Sequence, residues 1–132
     1  IVNSCSLRRL KLNKINAYIN NSITNTRDFH IDTTHSEHFK IILYLTNCNL
    51  EDGPYSYILG SHKFNIYKYI NLFINFITRK LQLDMTIHSK KNIEVYPGEK
   101  GSCIVSNQNG FHRGLPQNVG HGRVALIFNL YA

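Results

Sequence analysis

Three residues of the kinds that bind divalent metals stand at a spacing typical of a metal site. His30 and Asp32 lie two positions apart in the segment 29–32, and His112 follows an apolar stretch near the end of the chain. On a β-strand, side chains two residues apart point to the same face, so His30 and Asp32 would present an imidazole and a carboxylate side by side. The pair alone is an unspecific signal, and His112 supplies the third candidate ligand.

Two imidazoles and one carboxylate on one side of a metal leave adjacent coordination positions open. This facial arrangement suits the oxygen chemistry of iron(II), in which the open positions take a keto acid and O2. Arg123 begins the last apolar segment of the chain, and its planar guanidinium group matches the far carboxylate of a keto acid. Because a buried arginine is costly without an anionic partner, we expect Arg123 to bind such a carboxylate.

Three further residues are candidate contacts for ligands. Lys40 and Tyr44 share one face of a predicted strand. If that face is interior, the Tyr44 hydroxyl could bind the keto acid and Lys40 could face the substrate, while a core position for Tyr44 stays an alternative. Arg113 is adjacent to His112 and is predicted to face the substrate. His30, His35 and His38 also have a spacing compatible with zinc, but the polar residues between them favour a loop at the pocket rim.

The elements that must position these residues are mostly β-strands. Alternating apolar residues predict a strand with a bulge over residues 9–19, and β-branched and aromatic runs predict strands over 39–46, 55–59, 93–96, 102–106 and 123–131. Apolar residues at three- and four-residue steps predict one amphipathic helix from Asn65 to about Leu83, with its apolar stripe packed in the core. Short strands interrupted by one helix predict a sandwich or jelly-roll barrel.

Length and composition predict one domain over residues 1–132. Apolar residues make up 42% of the chain, which is enough to fill a core. No apolar run approaches the roughly 20 residues that cross a bilayer, so no membrane partner is predicted. Three widely spaced cysteines favour a reducing, cytoplasmic setting over a disulfide framework. The chain begins without Met, and we expect it to lack its natural N-terminal part.

The net charge of +7 raises the question of a nucleic-acid partner. The cations are scattered in short pairs such as Arg8-Arg9 and Lys90-Lys91, without a long basic run, so no nucleic-acid partner is predicted. Two interpretations stay open. The charge is either a solvated basic surface, which the distribution favours, or a preference for anionic small-molecule substrates such as carboxylates or phosphoesters.

The sequence resembles the phytanoyl-CoA dioxygenase (PhyH-like) family of 2-oxoglutarate/Fe(II)-dependent oxygenases. Four blocks carry the resemblance in order: FHID at 29–32, KIILYLTNCNLEDGPYSYILGSHK at 40–63, GEKGSCIVSNQNGFHRG at 98–114, and Arg123 followed by an apolar strand. Members commonly have Trp-His-Gln-Asp in the first block, whereas this chain has Phe29 and Ile31 there. Any polar contact of that glutamine is therefore lost.

The resemblance implies a mainly β, double-stranded β-helix (jelly-roll or cupin-like) domain. It makes His30, Asp32 and His112 the iron ligands and Arg123 the residue that binds 2-oxoglutarate. It implies an Fe(II)/2-oxoglutarate-dependent dioxygenase that uses O2 to hydroxylate an unidentified small-molecule substrate, with release of succinate and CO2. Two alternatives share the fold: a cupin-like metal-binding isomerase without a keto acid, and a non-catalytic binding module in which the three ligands are a remnant.

Overall fold

The structure is a computed structural model that describes residues 9–32, 37–63, 66–77 and 92–132. β-strands are the main regular elements of the described chain. The strands are β1 (Lys11–Asn21), β2 (His38–Tyr44), β3 (Tyr55–Ile58), β4 (Ile93–Tyr96), β5 (Cys103–Asn107), β6 (His112–Gly114) and β7 (Gly122–Tyr131). A short 3₁₀ helix (Leu50–Asp52) precedes β3, and one α-helix, α1 (Ile66–Ile77), lies between β3 and β4 in the sequence.

The strands form two antiparallel sheets. A four-stranded sheet has the order β1-β7-β2-β5, and a three-stranded sheet has the order β4-β3-β6. The last strand, β7, pairs on both sides, with β1 and with β2. Because a strand paired on both sides cannot shift without breaking two ladders, β2 and β7 give the functional side chains on them a rigid support.

The core lies between the two sheets. One face of the four-stranded sheet contributes Ile42, Tyr44 and Ala125, which cluster with Tyr55 and Tyr57 of β3. The alternation of side chains along each strand explains why these residues point into the core, since residues two apart share a face. The same inner face of β2 carries Lys40, and the same inner face of β7 carries Arg123.

The predicted strands agree well with those of the structure. The bulge that we expect in the first strand lies between Leu12 and Lys14 in β1, where the apolar alternation changes phase. Segment 29–32 differs from the prediction, because the structure has an isolated bridge at His30 and no strand there. His38, predicted in a loop at the pocket rim, is buried on β2 and stacks on Tyr131 at 4.1 Å between ring centroids.

The helical segment is described in part. The sequence predicts a helix from Asn65 to about Leu83; α1 spans Ile66–Ile77, and residues 64–65 and 78–91 lie outside the described residues. The prediction that its apolar stripe packs in the core is wrong for the described side chains, since Phe73 is 63% exposed and Phe76 is 81% exposed. Among the residues described, no helix has the length and apolarity to span a membrane.

Candidate metal centre

His30 and His112 lie directly opposite each other in an antiparallel bridge. The His30 amide donates to the His112 carbonyl at 3.0 Å, and the His112 amide donates to the His30 carbonyl at 2.9 Å. Residues that exchange both hydrogen bonds in this way project their side chains to the same face. Their imidazole rings accordingly lie 4.6 Å apart between centroids.

The residues on either side of His30 anchor it. Phe29 and Ile31 are 5% and 1% exposed and pack with Ile58 and Phe111 in a second small core cluster. Because neighbouring side chains of an extended segment point to opposite sides, burying Phe29 and Ile31 turns His30 the other way. The apolar flanks that separate this chain from the common Trp-His-Gln-Asp pattern therefore hold the segment in place.

The third member, Asp32, lies between the two imidazoles. His30 Nε2 is 3.6 Å from Asp32 Oδ1, and His112 Nε2 is 3.7 Å from Asp32 Oδ2. One ligand atom of each of the three side chains lies within 4.8 Å of the others. The structure thus brings together the three residues that the sequence singles out, although His30 and Asp32 do not share a regular strand.

The outer nitrogens of both imidazoles are fixed by backbone carbonyls. The Nδ1 atom of His30 donates to the Asp28 carbonyl at 2.7 Å, and Nδ1 of His112 donates to the Gly110 carbonyl at 3.0 Å. A carbonyl only accepts, so each Nδ1 carries the proton and each Nε2 keeps a free lone pair. Such outer hydrogen bonds fix the tautomer and orientation of metal-binding histidines.

Charge and burial favour the metal-binding protonation states. Burial lowers the pKa of His30 to about 4; the neighbouring His112 and Arg27 side chains act in the same direction, against the hydrogen bond to the Asp28 carbonyl. Burial works to raise the pKa of Asp32, but the adjacent His112 side chain and the paired Lys40 ammonium group outweigh it and hold this pKa well below its ordinary value. Near neutral pH, His30 is neutral and Asp32 is ionised, as a metal requires of its ligands.

A cavity of about 230 Å³ is lined by two of the three residues, His30 and His112. It is bounded by apolar side chains of the four-stranded sheet, among them Ile42, Ala125 and Ile127, and by the basic groups of Lys40, Arg113 and Arg123. A cavity of this size holds a small organic molecule rather than a macromolecular segment. Its basic lining suits an anionic group.

Arg123 reaches the cavity from the start of β7. Its Nη1 atom is buried and has no hydrogen-bond partner within the described part of the chain. A Cβ atom on Gly114 would lie 2.6 Å from Arg123 Nη2, so the glycine leaves the space that the guanidinium group occupies. A buried donor without a partner is costly, and an anionic ligand in the cavity would satisfy it.

Tyr44, for which a keto-acid contact is predicted, is not among the residues that line this cavity. Its side chain is fully buried, its hydroxyl donates to the Tyr96 carbonyl at 3.0 Å, and the same oxygen accepts from the Tyr55 amide at 3.0 Å. The hydroxyl proton is therefore already used within the protein. This geometry corresponds to the alternative of a core tyrosine, one that joins the two sheets.

Arg113 lines the cavity but is bound to the segment that precedes His30. Its Nη1 donates to Asp28 Oδ1 at 3.0 Å and its Nη2 donates to Thr26 Oγ1 at 2.8 Å. Its guanidinium group also lies 5.6 Å from the centre of the Phe29 ring, in cation–π distance. These contacts tie the His30 segment to β6 and give Arg113 a positioning role that its sequence position does not reveal.

Tyr55 is a site residue that the sequence does not single out. Its ring lies 5.8 Å from that of His112, and its hydroxyl is bound to Ser106 at 2.6 Å and to the Gln108 side-chain amide at 3.3 Å. Tyr55 is fixed by both sheets and forms part of the cavity wall beside the candidate ligands. Only its place in the block 40–63 could have indicated this, because the pairing of β3 with β6, which brings Tyr55 next to His112, has no local sequence signal.

Comparison with solved structures identifies the fold. No family model matches the sequence, and no curated protein matches it. HygX from Streptomyces hygroscopicus with iron bound has a TM-score of 0.65 at 17% identity over 92% of this chain. HygX with nickel and 2-oxoglutarate bound has a TM-score of 0.67 at 15% identity over 92% of this chain. EvdO2 from Micromonospora carbonacea var. aurantiaca has a TM-score of 0.65 at 14% identity over 89% of this chain.

This likeness shows a shared cupin-like fold of two antiparallel sheets, since identities this low extend no further than the fold. The chain spans 58% of the length of iron-bound HygX and 52% of that of EvdO2. HygX has also been crystallised with nickel, 2-oxoglutarate and hygromycin B together, and that structure has a TM-score of 0.54 to this chain. The PhyH-like subtype stays a prediction from the sequence.

Proposed function

We propose that residues 1–132 form a non-haem Fe(II)/2-oxoglutarate-dependent oxygenase domain with His30, Asp32 and His112 as iron ligands. The convergence of these side chains carries the proposal, because one ligand atom of each lies within 4.8 Å of the others. The residues fit a metal on an independent observation. Nε2 of His112 is buried and, among the described residues, has no hydrogen-bond partner, which a metal ion would supply.

The choice of iron(II) with 2-oxoglutarate rests on the donor set and on the fold. Two imidazoles and one carboxylate with open positions are the donor set of non-haem Fe(II) oxygenases. HygX, which shares the fold, has been crystallised with iron and with nickel plus 2-oxoglutarate. The ordered sequence blocks support the finer PhyH-like assignment, which we include in the proposal.

Arg123 is proposed to bind the carboxylate of 2-oxoglutarate that lies farther from the metal. Its buried Nη1 needs an acceptor, and it lines the same cavity as the two histidines. The guanidinium fork suits a carboxylate better than an ammonium would, because it donates two parallel hydrogen bonds. Gly114 keeps the space for that fork.

The chain's own residues account for binding, orientation and exclusion of water. When bound, iron and 2-oxoglutarate would supply the oxidising chemistry with O2 that hydroxylates a small-molecule substrate and releases succinate and CO2. His30 and His112 offer Nε2 lone pairs in fixed orientations, and Asp32 offers an ionised carboxylate. The apolar side chains of Ile42, Ala125 and Ile127 keep one cavity wall free of water-binding groups.

Two alternatives on the same fold remain to be tested. A cupin-like metal-binding isomerase would need the three ligands but no keto acid, and it would leave the buried Arg123 without an anionic partner. A non-catalytic binding module would need neither the tautomer control at both histidines nor their convergence. The arrangement of Arg123 favours the oxygenase. A soluble, cytoplasmic enzyme acting on a small molecule completes the proposal.

The test is uncoupled turnover. Purified protein is incubated with Fe(II), ascorbate and 2-oxoglutarate, and succinate is measured; binding of 2-oxoglutarate to the Mn²⁺-loaded protein is measured in parallel by calorimetry. We expect Arg123→Ala to abolish detectable 2-oxoglutarate binding, while Arg9→Ala, which removes an exposed arginine, leaves it unchanged. A native chain that binds neither Mn²⁺ nor 2-oxoglutarate would overturn the proposal.

A further inference from the structure

Lys40 holds the one carboxylate of the candidate metal centre. Its ammonium group pairs with Asp32 Oδ2, and the lysine side chain is 19% exposed. Lys40 lies on the inner face of β2, in register with Ser106 on one side and Asn129 on the other. Because β2 is paired on both sides, its backbone cannot retreat, and only the flexible side chain of Lys40 can move.

The charged groups around the cavity determine what the Lys40–Asp32 pair does in the metal-free protein. Among the described residues that line the cavity, three are basic and none is acidic. Arg113 is paired with Asp28 and Lys40 is paired with Asp32. The buried donors of these basic groups that lack a hydrogen-bond partner in the described structure are Nη1 of Arg123 and Nε of Arg113. Without a metal, Lys40 thus neutralises a carboxylate whose side chain is 23% exposed and that would otherwise be uncompensated.

A divalent ion and the Lys40 ammonium group would compete for the Asp32 carboxylate. Both are cations, and on one carboxylate they would lie a few ångströms apart in a partly buried site, where repulsion between like charges is weakly screened. Binding of the ion therefore weakens the Lys40–Asp32 pair. The released ammonium group still projects from the inner face of β2 into the cavity, on the same sheet face as Arg123.

We propose that Lys40 is the internal counter-ion of Asp32 in the metal-free protein, that a divalent ion displaces it, and that the displaced ammonium group then binds a carboxylate of the ligand in the cavity. This inference rests on the proposed metal site. Metal and anion binding are coupled through Lys40. The metal releases the ammonium group to bind the anion, and the anion neutralises the ammonium group that the metal has displaced. Linkage makes the coupling reciprocal, so the anion tightens the metal by the same factor that the metal tightens the anion.

The experiment measures the dissociation constant of Mn²⁺ with and without saturating 2-oxoglutarate, for the native protein, Lys40→Met and Lys40→Gln. We expect both variants to bind Mn²⁺ alone about tenfold more tightly than the native protein, because the competing cation is gone. We expect the factor by which 2-oxoglutarate tightens Mn²⁺ to fall by about tenfold in both. Lys100→Met, which removes the same charge from an exposed turn between β4 and β5, should behave like the native protein.

The outcomes separate this inference from the proposed function. If the native protein binds Mn²⁺ and both Lys40 variants bind it equally or more weakly, Lys40 orients Asp32 rather than competing with the metal, and the inference is wrong. If the variants bind Mn²⁺ more tightly but 2-oxoglutarate still tightens Mn²⁺ binding by the same factor as in the native protein, the displaced Lys40 does not bind the anion, and that part of the inference is wrong. Native protein that binds no Mn²⁺, with or without 2-oxoglutarate, overturns the metal site itself. Circular dichroism and the thermal midpoint confirm that each variant is folded.

Discussion

His30 and His112 exchange both of their backbone hydrogen bonds, and this single bridge aligns the two imidazoles of the candidate metal centre. The residues are 82 positions apart in the numbering, 112 less 30, so the alignment depends on the tertiary fold. The bridge places His30 beside β6, at the edge of the three-stranded sheet. A site built in this way depends on the anchors of the His30 segment, and these anchors can be tested one at a time.

Gly114→Ala should impair keto-acid binding without impairing metal binding. The added Cβ would lie 2.6 Å from Arg123 Nη2, so the guanidinium group must move out of its present place. We expect the dissociation constant of 2-oxoglutarate for the Mn²⁺-loaded protein to rise by about tenfold or more, the scale of one lost charge-assisted contact. The Mn²⁺ dissociation constant alone should stay unchanged. Equal losses of both affinities would show that the substitution disturbs β6 as a whole.

Arg113→Met should lower stability and metal affinity together. The variant keeps much of the aliphatic stem but loses the bonds to Asp28 and Thr26 that tie the His30 segment to β6. We expect the free energy of unfolding to fall by roughly 1–2 kcal/mol, since these are charge-assisted but partly exposed contacts. Mn²⁺ affinity should fall because His30 is less firmly held. If Arg113 instead bound only the substrate, unfolding and Mn²⁺ binding would both be unaffected.

Tyr44→Phe separates a core tyrosine from a ligand-binding one. Removing the hydroxyl leaves the Tyr55 amide and the Tyr96 carbonyl without their shared partner between the sheets. We expect a loss of about 1–3 kcal/mol in the free energy of unfolding, measured by chemical denaturation. The affinity of the Mn²⁺-loaded protein for 2-oxoglutarate should not change. A large loss of that affinity with unchanged stability would restore the predicted keto-acid contact.

Asp52 should make the metal-free protein sensitive to acid. The Asn49 amide, then the His121 side chain and the Gly122 amide, donate to its carboxylate and hold its pKa below the ordinary value, against the effect of burial. A lowered folded-state pKa contributes stability that is present above the unfolded-state pKa, near 4, and is lost as the pH falls toward the folded-state value.

Asp52→Asn tests this contribution. We expect the variant to be less stable than the native protein at pH 7, and the difference between the two to shrink as the pH falls below about 4. The measurement is urea denaturation across that range in the presence of a chelator. A difference that is constant with pH would mean that the Asp52 carboxylate is not stabilised by its ionisation.

Much of the sheet structure follows from local sequence. Runs of β-branched and aromatic residues predict the central strands, and the phase change after Leu12 predicts the bulge in β1, because these signals depend on the alternation of neighbouring side chains. Residue types and spacing also indicate His30, Asp32 and His112 before any fold is known. The candidate ligands can thus be named from local sequence, but their convergence cannot.

What the sequence does not predict are contacts between distant elements. The Arg113–Asp28 pair and the position of Tyr55 beside His112 depend on which distant segments pair with β6, and the Lys40–Asp32 pair depends on how one sheet packs on the other. The buried hydroxyl of Tyr44 has the same origin. The exposed apolar stripe of α1 has a different cause. An amphipathic pattern predicts that one face of a helix is apolar, but it does not predict whether the rest of the described fold covers that face.

The most direct test of the proposed centre is a crystal structure of the protein grown with Fe(II) and 2-oxoglutarate in the absence of O2. We predict one iron ion bound by Nε2 of His30, Nε2 of His112 and a carboxylate oxygen of Asp32, with the far carboxylate of 2-oxoglutarate on Arg123. An ion bound elsewhere, or a keto acid that does not contact Arg123 while the protein retains this fold, would contradict the account.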